Sequence, residues 1–252
     1  MRRDGAGASA GTRPASAEDP DLLLFGERHD APGQIDRVAD ALRQLAARDR
    51  LAAFAIEMAP AGTSTAALPR SAAALSIRQA LQWDDKAWPW ERYAPAITAA
   101  VVAGVPVLGA NLPRADMAKA MADVSLDAQL AEPARAQLAV ALRDGHCGLL
   151  PESRIPAMLR VQIARDRSMA HVMAESVVSG RTAVLLAGSG HVDSALGVPQ
   201  HLPTHLTVRS IVLLADGDRT SGRFDATWAT PAASRDDPCT ALAGHMPAPA
   251  GR

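Results

Sequence analysis

Short apolar runs, the clearest of them closing on a polar cluster, do most to limit what this chain can fold into. Residues 21–25 (DLLLF), 52–57 (AAFAIE), 105–110 (VPVLGA), 182–187 (TAVLLA) and 208–214 (VRSIVLL) are too short for helices and read as strands. Residues 224–229 form an edge-strand candidate, and Pro106 belongs at the very start of its strand. Helical patterns lie between the runs. Ile35, Val38, Leu42 and Leu45 form a stripe over residues 34–47, and residues 93–103, 115–122 and 133–143 are further helices. Residues 153–179 read as one long helix with a kink near Pro156. Strands alternating with helices imply crossover units, and therefore an α/β fold with a mostly parallel central sheet.

In such a sheet, ligands bind outside the carboxyl ends of the strands. The first run leads into Gly26-Glu27-Arg28-His29-Asp30, the second ends at Glu57, the third at Asn111 and the fourth in Gly188-Ser189-Gly190-His191. Parallel strands would gather Glu27, His29, Glu57, Asn111 and His191 at one rim. Taken singly, each is as well explained as a helix cap or a solvated loop residue; the coincidence is what points to a site. The Gly-Ser-Gly-His turn lacks the third glycine of a dinucleotide fingerprint and is no nucleophile elbow, so Ser189 is a poor nucleophile candidate.

The long helix adds a second signal. Ile155, Leu159, Gln162, Asp166, Met169 and Met173 share a face, and Gln162 and Asp166 interrupt its apolar character. Buried polar groups need partners, so this pair faces either a polar site or a buried network. Arg165, beside them, suits a carboxylate or an anionic ligand. The methionines read as core filler. His146-Cys147 could ligate a metal or haem, although adjacent side chains point apart.

Composition bounds the rest. At 252 residues and 48% hydrophobic content the chain can bury a large core. A net charge of -1 argues against a nucleic-acid binder. Two cysteines build no disulfide scaffold and no four-cysteine zinc site. Cys239 reads as incidental, and a cytoplasmic setting disfavours its pairing with Cys147. The first 20 residues and residues 231–252 read as disordered ends around a domain at 21–230. No apolar run is long enough to span a membrane, and the start has no apolar signal core. The chain as written is thus expected in the cytoplasm; an upstream signal would place it in the periplasm or on a membrane anchor. Aromatics are only 3%, yet Trp83, Trp88, Trp90 and Tyr93 crowd into one segment. They either anchor a loop on the core or line an apolar pocket or an association surface.

Together the motifs resemble a known family. GERHD after the first strand, IEM after the second, W-x-W-x-x-Y-x-P, GVPVLGAN, HCG, Q-x-x-R-D-x-x-M-A and AGSGH followed by GVP are similar to the ChaN-like haem-binding uptake proteins. These are grouped with the Tiki proteases and erythromycin esterases. The resemblance spans roughly residues 21–202. It implies an α/β core with a helical subdomain, haem held at a homodimer interface, and a role in iron acquisition. It also implies a tyrosine iron ligand, for which this chain offers Tyr93 alone. Trp90, Arg92, Gln162, Arg165 and Asp166 are then expected around the haem, with Arg92, Lys86 or Arg165 for its propionates and His29 and His191 as further iron or metal ligands. The wider superfamily implies an active site at Glu27, His29, Glu57 and His191. The competing reading is accordingly a hydrolase. Those four residues would hold a divalent metal such as Mn or Co, or work without one, a histidine taking the proton of water.

Overall fold

A computed structural model describes residues 19–233 and Cys239. Nearly all of the expected disordered ends lies outside that range. The strands are β1 (Leu22–Glu27), β2 (Leu51–Pro60), β3 (Val107–Asn111), β4 (Thr182–Gly188), β5 (Val208–Ala215) and β6 (Ala226–Thr230). They form one sheet in the order β3-β2-β4-β1-β5-β6. Every pairing in it is parallel.

The apolar runs are nearly unbroken because both faces of the sheet are covered. On one face, Phe25, Phe54, Ile56, Val184, Leu186 and Ile211 pack under α1 (Gln34–Ala47) and, after the short α2 (Ala74–Ala80), α3 (Trp90–Ala103). On the other, small side chains such as Ala53, Ala55, Ala183 and Ala187 meet Met169, Ala170 and Met173. The methionines lie on α6 (Ile155–Glu175), and this helix takes their place in the core, as expected. A helical subdomain of α4 (Met117–Ala122), α5 (Glu132–Gly145) and the first half of α6 has apolar clusters of its own. One holds Leu126, Leu130, Val161 and Ile163, the other Leu142, Ile155 and Leu159.

Three local expectations are corrected. Pro156 does not kink a long helix. It stands in the first turn of α6, where proline's missing N–H has no helical partner to lose. The third strand starts after Pro106, at Val107. And Cys147 is disulfide-bonded to Cys239, so neither is incidental. The bridge ties the chain beyond β6 to the turn after α5. Among the described residues no helix is long and apolar enough to cross a membrane.

Candidate functional site

Glu27 is the last residue of β1, Glu57 lies in β2, and β4 runs out at Gly188 into the single turn α7 (Ser189–Val192), which carries His191. Parallel registration brings these ends together, and α6 delivers Asp166 from the covering layer. Sequence reasoning placed Asn111 in the same group. It stands instead at the end of the edge strand β3, opposite Pro60, with its side-chain oxygen buried and unpaired.

The polar groups form a connected chain. His191 Nδ1 is 2.6 Å from Asp166 Oδ1, and its Nε2 is 3.5 Å from Glu57 Oε1. The Gly188 N–H donates to Glu57 Oε2 at 2.8 Å. His29 Nδ1 lies 2.9 Å from Glu27 Oε1, with Nε2 3.9 Å from Glu57 Oε2. Glu27 and Asp166 are fully enclosed, whereas the His29 side chain keeps 38% of its surface. Burial opposes charge on Glu57, yet His191 and His29 together with the Gly188 N–H outweigh it and hold the carboxyl at about 2. Burial likewise opposes charge on His191, but Glu57 and Asp166 push it up to about 10. His29 moves upward too, its burial offset by Glu27 and Glu57.

This electrostatics bears on the hydrolase reading. At neutral pH His191 already carries the proton that a general base would have to accept. Among the described residues, no group of three or more His, Cys, Asp or Glu side chains is arranged to hold a metal ion. Glu27 and Asp166 are each spent on a histidine. The expected set of Glu27, His29, Glu57 and His191 is therefore assembled, but as an ion-pair network.

The aromatic segment is largely buried. Tyr93 is 1% exposed and Trp90 7%. Tyr93 packs against Trp83 and Trp88, and Trp90 against Trp83. Burial and the neighbouring Glu27 carboxylate drive the phenol far above its ordinary range. Trp88 does reach the site, edge-on to the His29 ring with centroids 4.8 Å apart. Arg92 donates to the His29 carbonyl, so it supports the loop after β1. Gln162 lines the cleft described below, whereas Arg165, its Nε buried without a partner, does not.

Sequence reasoning missed Gln34. It is wholly buried at the start of α1, where it accepts the Arg28 N–H at 2.8 Å and donates to the Leu213 carbonyl at 2.9 Å. It thereby pins the β1 loop to β5. A lone glutamine beside an apolar stripe gives no signal of that role. Gly197 is a second such residue. A Cβ there would stand 2.1 Å from the His191 carbonyl oxygen and 2.8 Å from that of Gly190. Gly197→Ala must therefore push the His191 turn aside. It should cost about 1–3 kcal/mol in urea unfolding, and an unchanged midpoint would refute that packing.

Above the network opens a cleft of about 440 Å³. Its polar side is Glu27, His29, Gln162, Asp166 and His191; its opposite wall is the α5 face of Leu138, Ala141 and Leu142, ending in Gly145 and His146.

Residues 14–202 match the family described as haem-binding uptake, Tiki superfamily, ChaN. The chain belongs to that family. A similar solved structure is "Cofacial heme binding to ChaN of Campylobacter jejuni". It is 22% identical, covers 82% of this chain and 86% of its own, and has a TM-score of 0.69. That degree of likeness shows a shared fold. The type III effector HopBA1 is more distant, at 17% identity over 85% of this chain and 88% of its own, with a TM-score of 0.47. No curated protein matches the sequence.

Proposed function

We propose that this ChaN-family protein binds haem in the cleft between the strand ends and α5. The observation that carries the reading is the wall of Leu138, Ala141 and Leu142 facing a rim of imidazoles. Haem asks for an apolar surface along its ring and a nitrogen or oxygen ligand at its iron, and these residues fit both needs. Bound there, it would supply a ring iron with a site for an axial ligand. The protein's part is to shield one ring face and fix the orientation. The volume lies within the usual range of small-molecule sites, about 300–1,000 Å³.

A second copy of the chain covering the open side of the cleft belongs to the same reading, as does a role in haem or iron acquisition. The Cys147–Cys239 bridge supports an oxidising compartment over the cytoplasm.

Haemin titrated into the apo protein should give a saturable Soret change. Ala141 is exposed, so Ala141→Glu leaves the fold intact while placing a charge on the apolar wall. It should weaken binding about tenfold, the equivalent of about 1.4 kcal/mol. Equal affinity in the two proteins would move the haem elsewhere, and an unsaturable wild type would end the proposal.

A further inference from the structure

The two sides of the cleft are held very differently. The polar side stands on the strand ends and the middle of α6. The apolar side is α5, which packs chiefly on α6. The cluster beneath its C-terminal end is small, with Ala139 and Leu142 against Ile155 and Leu159. A bidentate pair adds to it, Arg143 with Glu152 at 2.7 Å, but both side chains face solvent, where salt screens them. Glu152 also lies just before α6, so the pair ties the subdomain to itself and not to the sheet. The bond that reaches out of the subdomain is covalent. Cys147, just past the end of α5 at Gly145, is joined to Cys239 beyond β6.

The turn that carries Cys147 suits glycine better. The Gly148 N–H donates to the Arg143 carbonyl at 2.8 Å, and the Cys147 N–H to that of Asp144 at 2.9 Å. This paired closure of a helix puts the residue after the cap in the left-handed region, where glycine is usual. Here that residue is Cys147, at φ 56°. Its neighbours are the cleft. Gly145 and His146 line it directly, and His146 Nδ1 lies 2.8 Å from the carbonyl oxygen of Leu142, whose side chain is in the apolar wall. Whatever holds Cys147 therefore holds the end of that wall. Both cysteines are partly exposed, so a thiol reagent can reach their bond. Exposed disulfides are the labile, regulatory kind.

We propose that the Cys147–Cys239 disulfide is a redox latch on the cleft. Bonded, it holds the end of α5 over the strand ends. Reduced, it frees that end, the cleft opens and the ligand leaves. The reductant is a dithiol, which supplies both electrons. One of its sulfurs attacks the bridge and breaks the bond between Cys147 and Cys239, and its second sulfur resolves the mixed disulfide. Two protein thiols form with the dithiol's two protons, and the dithiol departs as its own disulfide. That the released ligand is haem rests on the proposed function; the latch itself does not.

The test is hydrogen–deuterium exchange of the full chain in three forms: oxidised, reduced with dithiothreitol, and Cys147→Ser/Cys239→Ser. Circular dichroism verifies that the variant folds. Amides of residues 138–148 should exchange about tenfold faster on reduction, while those of α1 and β2 keep their rates. The double variant should match the reduced wild type and ignore dithiothreitol, and reoxidation of the wild type should restore protection. Iron-free protoporphyrin IX offers thiols no metal to reduce or ligate. It should bind the reduced protein and the double variant about fivefold more weakly than the oxidised protein, as when about one molecule in five keeps the wall in place. Unchanged exchange in residues 138–148, or equal porphyrin affinity in the two redox states, would overturn the latch and leave the site standing. Faster exchange spread evenly over α1 and the sheet would overturn it as well, because the bridge would then stabilise the fold as a whole. If the oxidised protein takes up no porphyrin, the haem reading falls and exchange alone decides the latch.

Discussion

Glu57→Ala is expected to lose about 3–5 kcal/mol of stability in urea unfolding, the usual cost of breaking one side of a buried ion pair. Glu57 is 4% exposed and sits at the centre of the network. It accepts the Gly188 N–H at 2.8 Å and lies 3.5 Å from His191 Nε2. Alanine removes three things at once. The Gly188 N–H loses its acceptor at the end of β4, His191 is left with Asp166 alone, and a void opens between strands. Glu57→Gln separates these effects. Its amide oxygen still accepts from Gly188 and fills the space, so its loss should be smaller and chiefly electrostatic. A cycle with His191→Gln then isolates the pair, since the charge interaction is absent once either partner is neutral. A Glu57→Ala penalty below about 1 kcal/mol, that of one ordinary hydrogen bond, would mean that the carboxylate is solvated rather than paired.

What could be read from the sequence followed from periodicity and strand direction. Apolar runs declare a two-sided sheet. Parallel pairing then brings the residues after those runs to one edge, so the meeting of Glu27, Glu57 and His191 needed no knowledge of side-chain positions. Asp166 was legible too, as a charge on the apolar face of α6. What escaped is what depends on distance through space. Tyr93 and Trp90 look alike on paper whether they roof a cleft or fill a core; here α3 turns them toward α1 and the sheet. Asn111 closes a strand as Glu57 does, but the strand order puts β3 at the edge, away from the cleft. The Cys147–Cys239 bond joins residues 92 apart in sequence, and nothing local announces it. His146 was noticed beside a cysteine. Its distinguishing property is the carbonyl that one of its nitrogens meets, and only three-dimensional structure supplies that.

Stability should peak near pH 6.5 and fall on both sides, with His191 governing the alkaline limb. Its pKa rises from 6.5 to about 10 on folding. Between those values the unfolded chain has released the proton while the folded protein keeps it, so stability declines as pH rises, by up to about 1.4 kcal/mol per unit. Its contribution is complete below 6.5 and gone above about 10. His29, also raised, adds to the first part of this decline. On the acid side the signs reverse. Glu57 falls from 4.5 to about 2, so its contribution is present above 4.5 and lost as pH drops toward 2. His201 falls from 6.5 to about 4, through burial and the nearby Arg167 charge, so stability also rises with pH between 4 and 6.5. Asp166, raised by its burial, runs against that trend. The measurement is melting temperature from pH 4 to 9.5 for wild type and His191→Gln. The variant should start lower and show a much flatter alkaline limb. Parallel curves would mean that His191 is neutral in the folded protein, and its exclusion as a general base would go with the charge. If the limb does flatten, the imidazolium is a fixed positive charge in the floor of the cleft. Such a charge, balanced by two buried carboxylates, holds α7 to α6 and β2.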